Sequence, residues 1–174
     1  MSLPVSVVVP RVKERENWFD LRCLPSIREN DPAEIIIENG DRSLCEKRDA
    51  GAAKATQPNI IFVEDNVLLY EWALKKMLAT LDEIKDVSFV YCDSRTIRKK
   101  GGLPKQGLNK ARPWDPEAIA GEKYVHVTSM LRRDAFPGFT PGDEEGRALW
   151  AMLAAKGHKG LYISEALFEI HETS

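Results

Sequence analysis

No glycine-rich phosphate loop follows the first apolar run of this sequence. Neither Gly-x-x-x-x-Gly-Lys-Ser/Thr nor Gly-x-Gly-x-x-Gly is present there. Both motifs use glycine backbone to approach phosphate closely, so a P-loop enzyme and a typical dinucleotide dehydrogenase are excluded. The segment Pro10-Arg-Val-Lys-Glu14 also lacks the Gly-rich loop that a sugar nucleotidyltransferase uses. Cysteine is scarce: Cys23, Cys45 and Cys92 lie far apart and form no Cys-x-x-Cys pair. That pattern gives neither a zinc site nor a disulfide framework and predicts reduced, buried thiols. No sign of charge dominates either, with 25 basic against 27 acidic side chains and a formal net charge of -2. The balance offers no electrostatic ground for nucleic acid or an anionic membrane as partner. Long apolar runs are missing as well. Val5–Val9 is too short for a transmembrane segment and has no basic n-region or cleavage site, so a cytoplasmic location is expected.

The chain has 174 residues, 43% of them hydrophobic and 30% charged. One domain with a substantial core is expected over 1–174. Val5–Val9, closed by Pro10, reads as a buried parallel strand. Glu34–Glu38, stopped by Asn39-Gly40, reads as a second, Asn59–Val63 as a third and Val87–Tyr91 as a fourth. Between them lie helix-favouring stretches. Trp18, Leu21, Leu24 and Ile27 recur at helical spacing, with Pro25 as a kink or split. Ser43 is placed to cap a helix running to about Ala55. Leu68–Leu81 carries an apolar face of Leu74, Met77, Leu78 and Leu81. Strands alternating with helices predict an α/β fold, with a mostly parallel central sheet and helices on both faces.

After Asp93 the pattern changes. Residues 94–121 are rich in Lys, Arg, Gly and Pro and read as a long basic loop or mobile lid. The alternating strand Tyr124–Met130, a helix over Glu144–Lys156 ended by Gly157, and short strands at Leu161–Ile163 and Leu167–Ile170 complete the expectation. His126 reads as a structural histidine, His158 as solvated, and Trp114 as a packing anchor.

In open α/β sheets ligands bind beyond the carboxyl ends of the strands. Strand order aims Glu38, Glu64, Asp65 and Asp93 at that rim. Crowded carboxylates repel unless a cation or hydrogen-bond donors compensate, and hard oxygen ligands suit Mn2+ or Mg2+. The same residues are also good caps for a following helix.

In order along the chain come Val-Ser-Val-Val-Val-Pro10, Cys23-Leu-Pro-Ser-Ile27, Glu34-Ile-Ile-Ile, Arg48-Asp-Ala-Gly51 and Phe62-Val-Glu-Asp-Asn66. Val90-Tyr-Cys-Asp93, Thr128-Ser-Met-Leu-Arg-Arg133, Leu149-Trp150 and Phe168-Glu-Ile-His171 follow. This succession resembles a short, divergent family-2 glycosyltransferase of the GT-A (nucleotide-diphospho-sugar transferase) fold, over nearly the whole chain. The resemblance implies transfer of a sugar from a UDP or GDP sugar donor to an acceptor hydroxyl, metal-assisted by Mn2+ or Mg2+ and with inversion. It divides the chain into a nucleotide-binding half (1–93), the basic loop (94–121) and an acceptor-side half (122–174).

The residues it implies for the nucleotide are Pro10, Arg11, Glu38, Asn39, Arg48, Asp49 and Glu64. For the metal they are Asp65 first, then Asn66 and His171. The family's catalytic base falls, laid strictly on the pattern, on Gly146. Glu145 is the nearest carboxylate, with Glu144 and Asp143 as substitutes; all three also suit a helix N-terminus. Two alternatives stay open beside the enzyme. One is a catalytically silent nucleotide- or sugar-binding module. The other is a subunit of a homo- or hetero-oligomer whose partner completes the acceptor side.

Overall fold

The computed structural model describes residues 1–172; the end of the expected acceptor-side half, Thr173 and Ser174, lies outside them. The strands are β1 (Leu3–Pro10), β2 (Pro32–Glu38), β3 (Asn59–Phe62), β4 (Val67–Leu69), β5 (Phe89–Lys100), β6 (Leu103–Asn109), β7 (Met130–Arg132) and β8 (Gly160–Glu172). The helices are α1 (Glu16–Trp18), α2 (Leu24–Glu29), α3 (Leu44–Lys54), α4 (Ala73–Glu83) and α5 (Arg147–Ala155). One sheet runs in the order β2-β1-β3-β7-β5-β8-β4, with β6 paired to β5. The parallel arrangement expected from the sequence holds where β1 pairs with β2 and β3, and again where β5 pairs with β8. The other pairings are antiparallel, so the sheet as a whole is mixed.

Strand alternation sorts the apolar residues onto two faces. Val5, Val7, Val9, Ile61, Val63, Val90 and Cys92 meet Phe19, Ile27 and the α4 face Leu74, Met77, Leu78 and Leu81. Val8, Ile60, Phe62, Phe89 and Tyr91 face the other way, toward Cys45 of α3 and Leu149, Trp150 and Leu153 of α5. The helices thus cover both faces, and all three cysteines are buried and free. α3 lies close on β1 because residue 51 is glycine: a Cβ there would collide with the Val8 side chain. Ser43 caps α3 as expected, its Oγ accepting the Glu46 N–H at 3.2 Å.

Several boundaries move. Pro25 sits in the first turn of α2, and Phe19–Cys23 before it winds as a π-helical turn. The helix expected from Leu68 starts at Ala73, because Val67 and Leu69 are taken into the sheet against Ile170 and Phe168 of β8. The expected strand Tyr124–Met130 shrinks to Met130–Arg132. His126 diverts the backbone there: its Nδ1 accepts the Thr128 N–H at 3.0 Å and its carbonyl accepts the Ser129 hydroxyl at 2.6 Å. The two closing strands are one, Gly160–Glu172.

The largest correction concerns residues 94–109 of the expected loop, which form a hairpin; Lys110–Gly121 carries no strand or helix. β5 runs on to Lys100, turns at Gly101-Gly102 and returns as β6. Both glycines have positive φ, 62° and 85°, which a two-residue hairpin turn requires. The remainder is also fixed. Asp93 accepts the Ala111 N–H and the Tyr162 hydroxyl, each at 2.7 Å. Trp114 packs edge-on against Phe89 with ring centroids 5.1 Å apart, the anchor expected of it.

Candidate functional site

The carboxyl ends of β1 and β2 flank a cleft of about 290 Å³ lined by Arg11, Lys13, Glu16, Asn39, Gly40 and Asp41. Arg11 is oriented by Glu16 at 3.1 Å and Asp20 at 3.5 Å and lies over the Phe19 ring. Of the residues expected at a nucleotide, Arg11 and Asn39 are in this cleft, and Pro10 is buried at the end of β1. Three others are turned to structural work. The Glu38 side chain is 4% exposed and accepts from Lys54 at 2.6 Å and Arg42 at 2.8 Å. The Lys54 hydrogen bond is the main reason its carboxyl is held below the usual range. Arg48 is buried, donates to the Glu144 carbonyl at 2.6 Å and packs over Phe139; burial lowers its pKa. Asp49 accepts the Phe139 N–H at 3.0 Å. Arg48 and Asp49 therefore clamp α3 to residues 139–144 and do not line the cleft.

Beyond β3 stand Glu64, Asp65 and Asn66. Asp65 is 1% exposed, and both of its oxygens are taken: Oδ2 by the Val12 N–H at 2.7 Å, Oδ1 by Arg15 Nη1 at 2.6 Å. Burial pushes the Asp65 carboxyl up, against the pull of Val12 and Arg15. Asn66 donates from Nδ2 to the His171 carbonyl at 3.3 Å and accepts the His171 N–H on its own carbonyl at 2.9 Å. The His171 ring pairs with Glu169 at 2.9 Å and lies tilted against Trp18, ring centroids 4.8 Å apart. Asn66 and His171 are thus brought together, but largely through backbone. The fit to Mn2+ or Mg2+ fails on this donor set. Its one carboxylate expected as principal ligand is already neutralised by a guanidinium. The free donor is a single amide oxygen, Asn66 Oδ1, buried without a partner. Among the described residues no three His, Cys, Asp or Glu side chains converge.

A second hollow of about 350 Å³ lies between the β5–β6 hairpin and residues 123–126, lined by Ser94, Asn109, Lys110, Lys123, Tyr124 and His126 among others. His126 is a member of this pocket as well as a backbone brace. Its Nδ1 accepts from Thr128, so the neutral ring carries its proton on Nε2, which lies 3.4 Å from Glu64 Oε1. Burial lowers the His126 pKa, with Glu64 pulling the other way. The pair ties Glu64, at the end of β3, to a residue of the second pocket.

The three acids before α5 divide sharply. Asp143 caps the helix, accepting the Arg147 and Ala148 N–H groups at 3.0 and 2.6 Å. Glu144 accepts the Leu44 N–H at 2.8 Å, at the start of α3. Glu145 holds no backbone N–H; it is 59% exposed, in an ion pair at 2.7 Å with Lys123 of the pocket. Lys123 holds its carboxyl below the usual range. Gly146 has φ 73°, and a Cβ there would lie 3.0 Å from Val127 and 3.2 Å from Phe139. An aspartate is therefore disfavoured at the position where the resemblance puts the base. His158, expected to be solvated, is instead hydrogen-bonded through Nδ1 to Ser88 Oγ at 2.7 Å.

Sequence reasoning missed Arg15, Lys123 and the site-facing role of His126. The alternating cations Arg11, Lys13 and Arg15 directly after β1 were a usable signal for the first. The other two become visible only when β7 and the hairpin are placed.

No protein-family description matches the sequence, and no curated protein matches it significantly. Solved structures do match the fold. S. aureus TarS 1–349 superimposes with a TM-score of 0.70 at 14% identity, covering 98% of this chain and 60% of that one. The same fragment in complex with UDP-GlcNAc gives 0.68 at 15%, covering 100% and 59%. In complex with UDP it gives 0.68 at 13%, covering 99% and 61%. The chain thus has the mixed α/β fold of TarS and spans about 60% of the length of that fragment.

Proposed function

We propose that the protein binds a nucleoside diphosphate sugar, a UDP sugar in the first place, and transfers the sugar to an acceptor hydroxyl. The observation that carries this reading is the match of the whole chain to a fold captured elsewhere with UDP-GlcNAc and UDP. The cleft at the ends of β1 and β2 supports it. Arg11 and Lys13 supply positive charge there, and Asn39 and Asp41 supply polar groups suited to a base and ribose.

In this reading the donor lies along the rim with its sugar toward Glu64 and the second pocket. An acceptor hydroxyl, held by the polar wall of Ser94, Asn109 and Lys110, attacks the anomeric carbon from the face opposite the diphosphate. The C–O bond to the acceptor forms as the C–O bond to the diphosphate breaks, so configuration inverts. Glu145 takes the hydroxyl proton, and the leaving diphosphate keeps the electron pair. Glu145 holds this role because Asp143 and Glu144 are spent on helix N-termini. His126 is a positioning residue for Glu64.

The test is Glu145→Gln. Turnover of UDP-sugar is expected to fall about 10²–10⁴-fold with donor affinity unchanged; equal turnover removes Glu145 as the base. One observation favours a second reading, a silent binding module: the left-handed Gly146 where the resemblance puts an aspartate. Donor binding without turnover in wild type, on any acceptor or on water, would select it.

A further inference from the structure

The failure of Asp65 to fit a divalent cation has a positive side. At the point where the resemblance expects metal, the chain places its own cation. Arg15 Nη1 sits 2.6 Å from Asp65 Oδ1, and the carboxylate is almost fully enclosed, so the guanidinium is fixed in place. Among the described residues the Arg15 side chain makes no other hydrogen bond, and it is 32% exposed. Its remaining N–H donors are therefore available to a ligand. The Val12 N–H to Asp65 Oδ2 bond ties the same loop to the end of β3. Lys13, exposed and lining the cleft, stands in the same turn of 3-10 helix as Arg15.

We propose that Arg15, with Lys13, holds the diphosphate of the donor in place of a divalent cation, and that donor binding is metal-independent. A guanidinium presents several N–H groups in a planar fork that matches phosphate oxygens, and its charge does not titrate away near neutrality. Asp65 is then the residue that aims Arg15, and Asn66, a neutral amide, replaces a ligand that is no longer needed. A manganese ion brought to Asp65 would have to displace a fixed guanidinium and desolvate beside its positive charge.

This inference rests on the proposed donor site, and the experiment separates the two. UDP is titrated calorimetrically into the full chain in EDTA and again in Mn2+. The expected result is saturable binding in both, with affinities within about twofold. Binding seen only with Mn2+ overturns the inference and leaves the donor site standing. No binding of UDP or GDP in either buffer overturns the donor site and the inference with it. Arg15→Ala is expected to weaken UDP at least tenfold in EDTA while leaving uridine binding unchanged. Because that variant leaves Asp65 buried without its cation, Arg15→Ala/Asp65→Asn is titrated beside it. A folded double variant that binds UDP like wild type shows that Arg15 does not touch the diphosphate.

Discussion

The two halves of the rim use their carboxylates in opposite ways. On the side of β1, β2 and β3, Glu38 and Asp65 are buried and bonded to cations of the same half. On the side of the hairpin and α5, Glu145 points outward to Lys123, and the half-buried His126 reaches back to Glu64 at the end of β3. An acidic residue at the rim is thus not a ligand group by position alone. Where its oxygens are saturated by donors it fixes a loop, and at Arg15 the cation it holds is the group we propose for the ligand. Where one oxygen stays open it remains available for chemistry.

That contrast can be broken by substitution. The largest stability effect is expected at Asp65. Asp65→Ala leaves Arg15 and the Val12 N–H without a partner and should cost roughly 2–4 kcal/mol in urea unfolding. A loss below the error of the measurement would mean that the loop does not depend on this carboxylate. Glu38→Gln should cost less, about 1–2 kcal/mol, because Lys54 and Arg42 can turn to solvent.

The Glu38 change also has a pH signature. Its folded carboxyl titrates below its ordinary value of 4.5. Its contribution is present above that pH and is lost as pH falls through the lower, folded value. Wild type should therefore lose stability in that acid window, and Glu38→Gln should lose less. Asp65 works in reverse. Its pKa is raised above 3.8, so its contribution is complete below that value and declines as pH rises through the folded one. The smallest effect belongs to Glu145→Gln, which should shift stability by no more than about 0.5 kcal/mol, since an exposed ion pair contributes little. A larger loss would put Glu145 in the structural class with Glu38.

How much of this was readable in the sequence follows the same division. β1 and β3 are buried on both faces and β2 beside them is partly buried; with unbroken apolar runs such as Val7-Val-Val9 and Ile35-Ile-Ile37, composition alone marks them. Ser43 and the α4 face declare themselves through capping and spacing. β6 could not be read that way. Every residue from Leu103 to Asn109 is exposed, and its strand form comes from pairing with β5. Only Gly101-Gly102 pointed to it. At the cleft, Arg11 and Asn39 were identifiable as the residues directly after β1 and β2, whereas Glu145 came only from the resemblance. The Arg15–Asp65 pair spans a sequence separation of 50 and the Glu38–Lys54 pair one of 16. Such pairings arise from the approach of loops that periodicity does not describe. The roles expected of Arg48 and Asp49 went astray for the same reason: their partners, Glu144 and Phe139, lie across the molecule in sequence.

The most direct test of the central claim is a backbone-amide NMR titration of the chain with UDP. Shifts are expected to concentrate at residues 10–15, 39–41 and 64–66 and to saturate together. Shifts that cluster on the β5–β6 hairpin or around α5, with the ends of β1 to β3 silent, would contradict it.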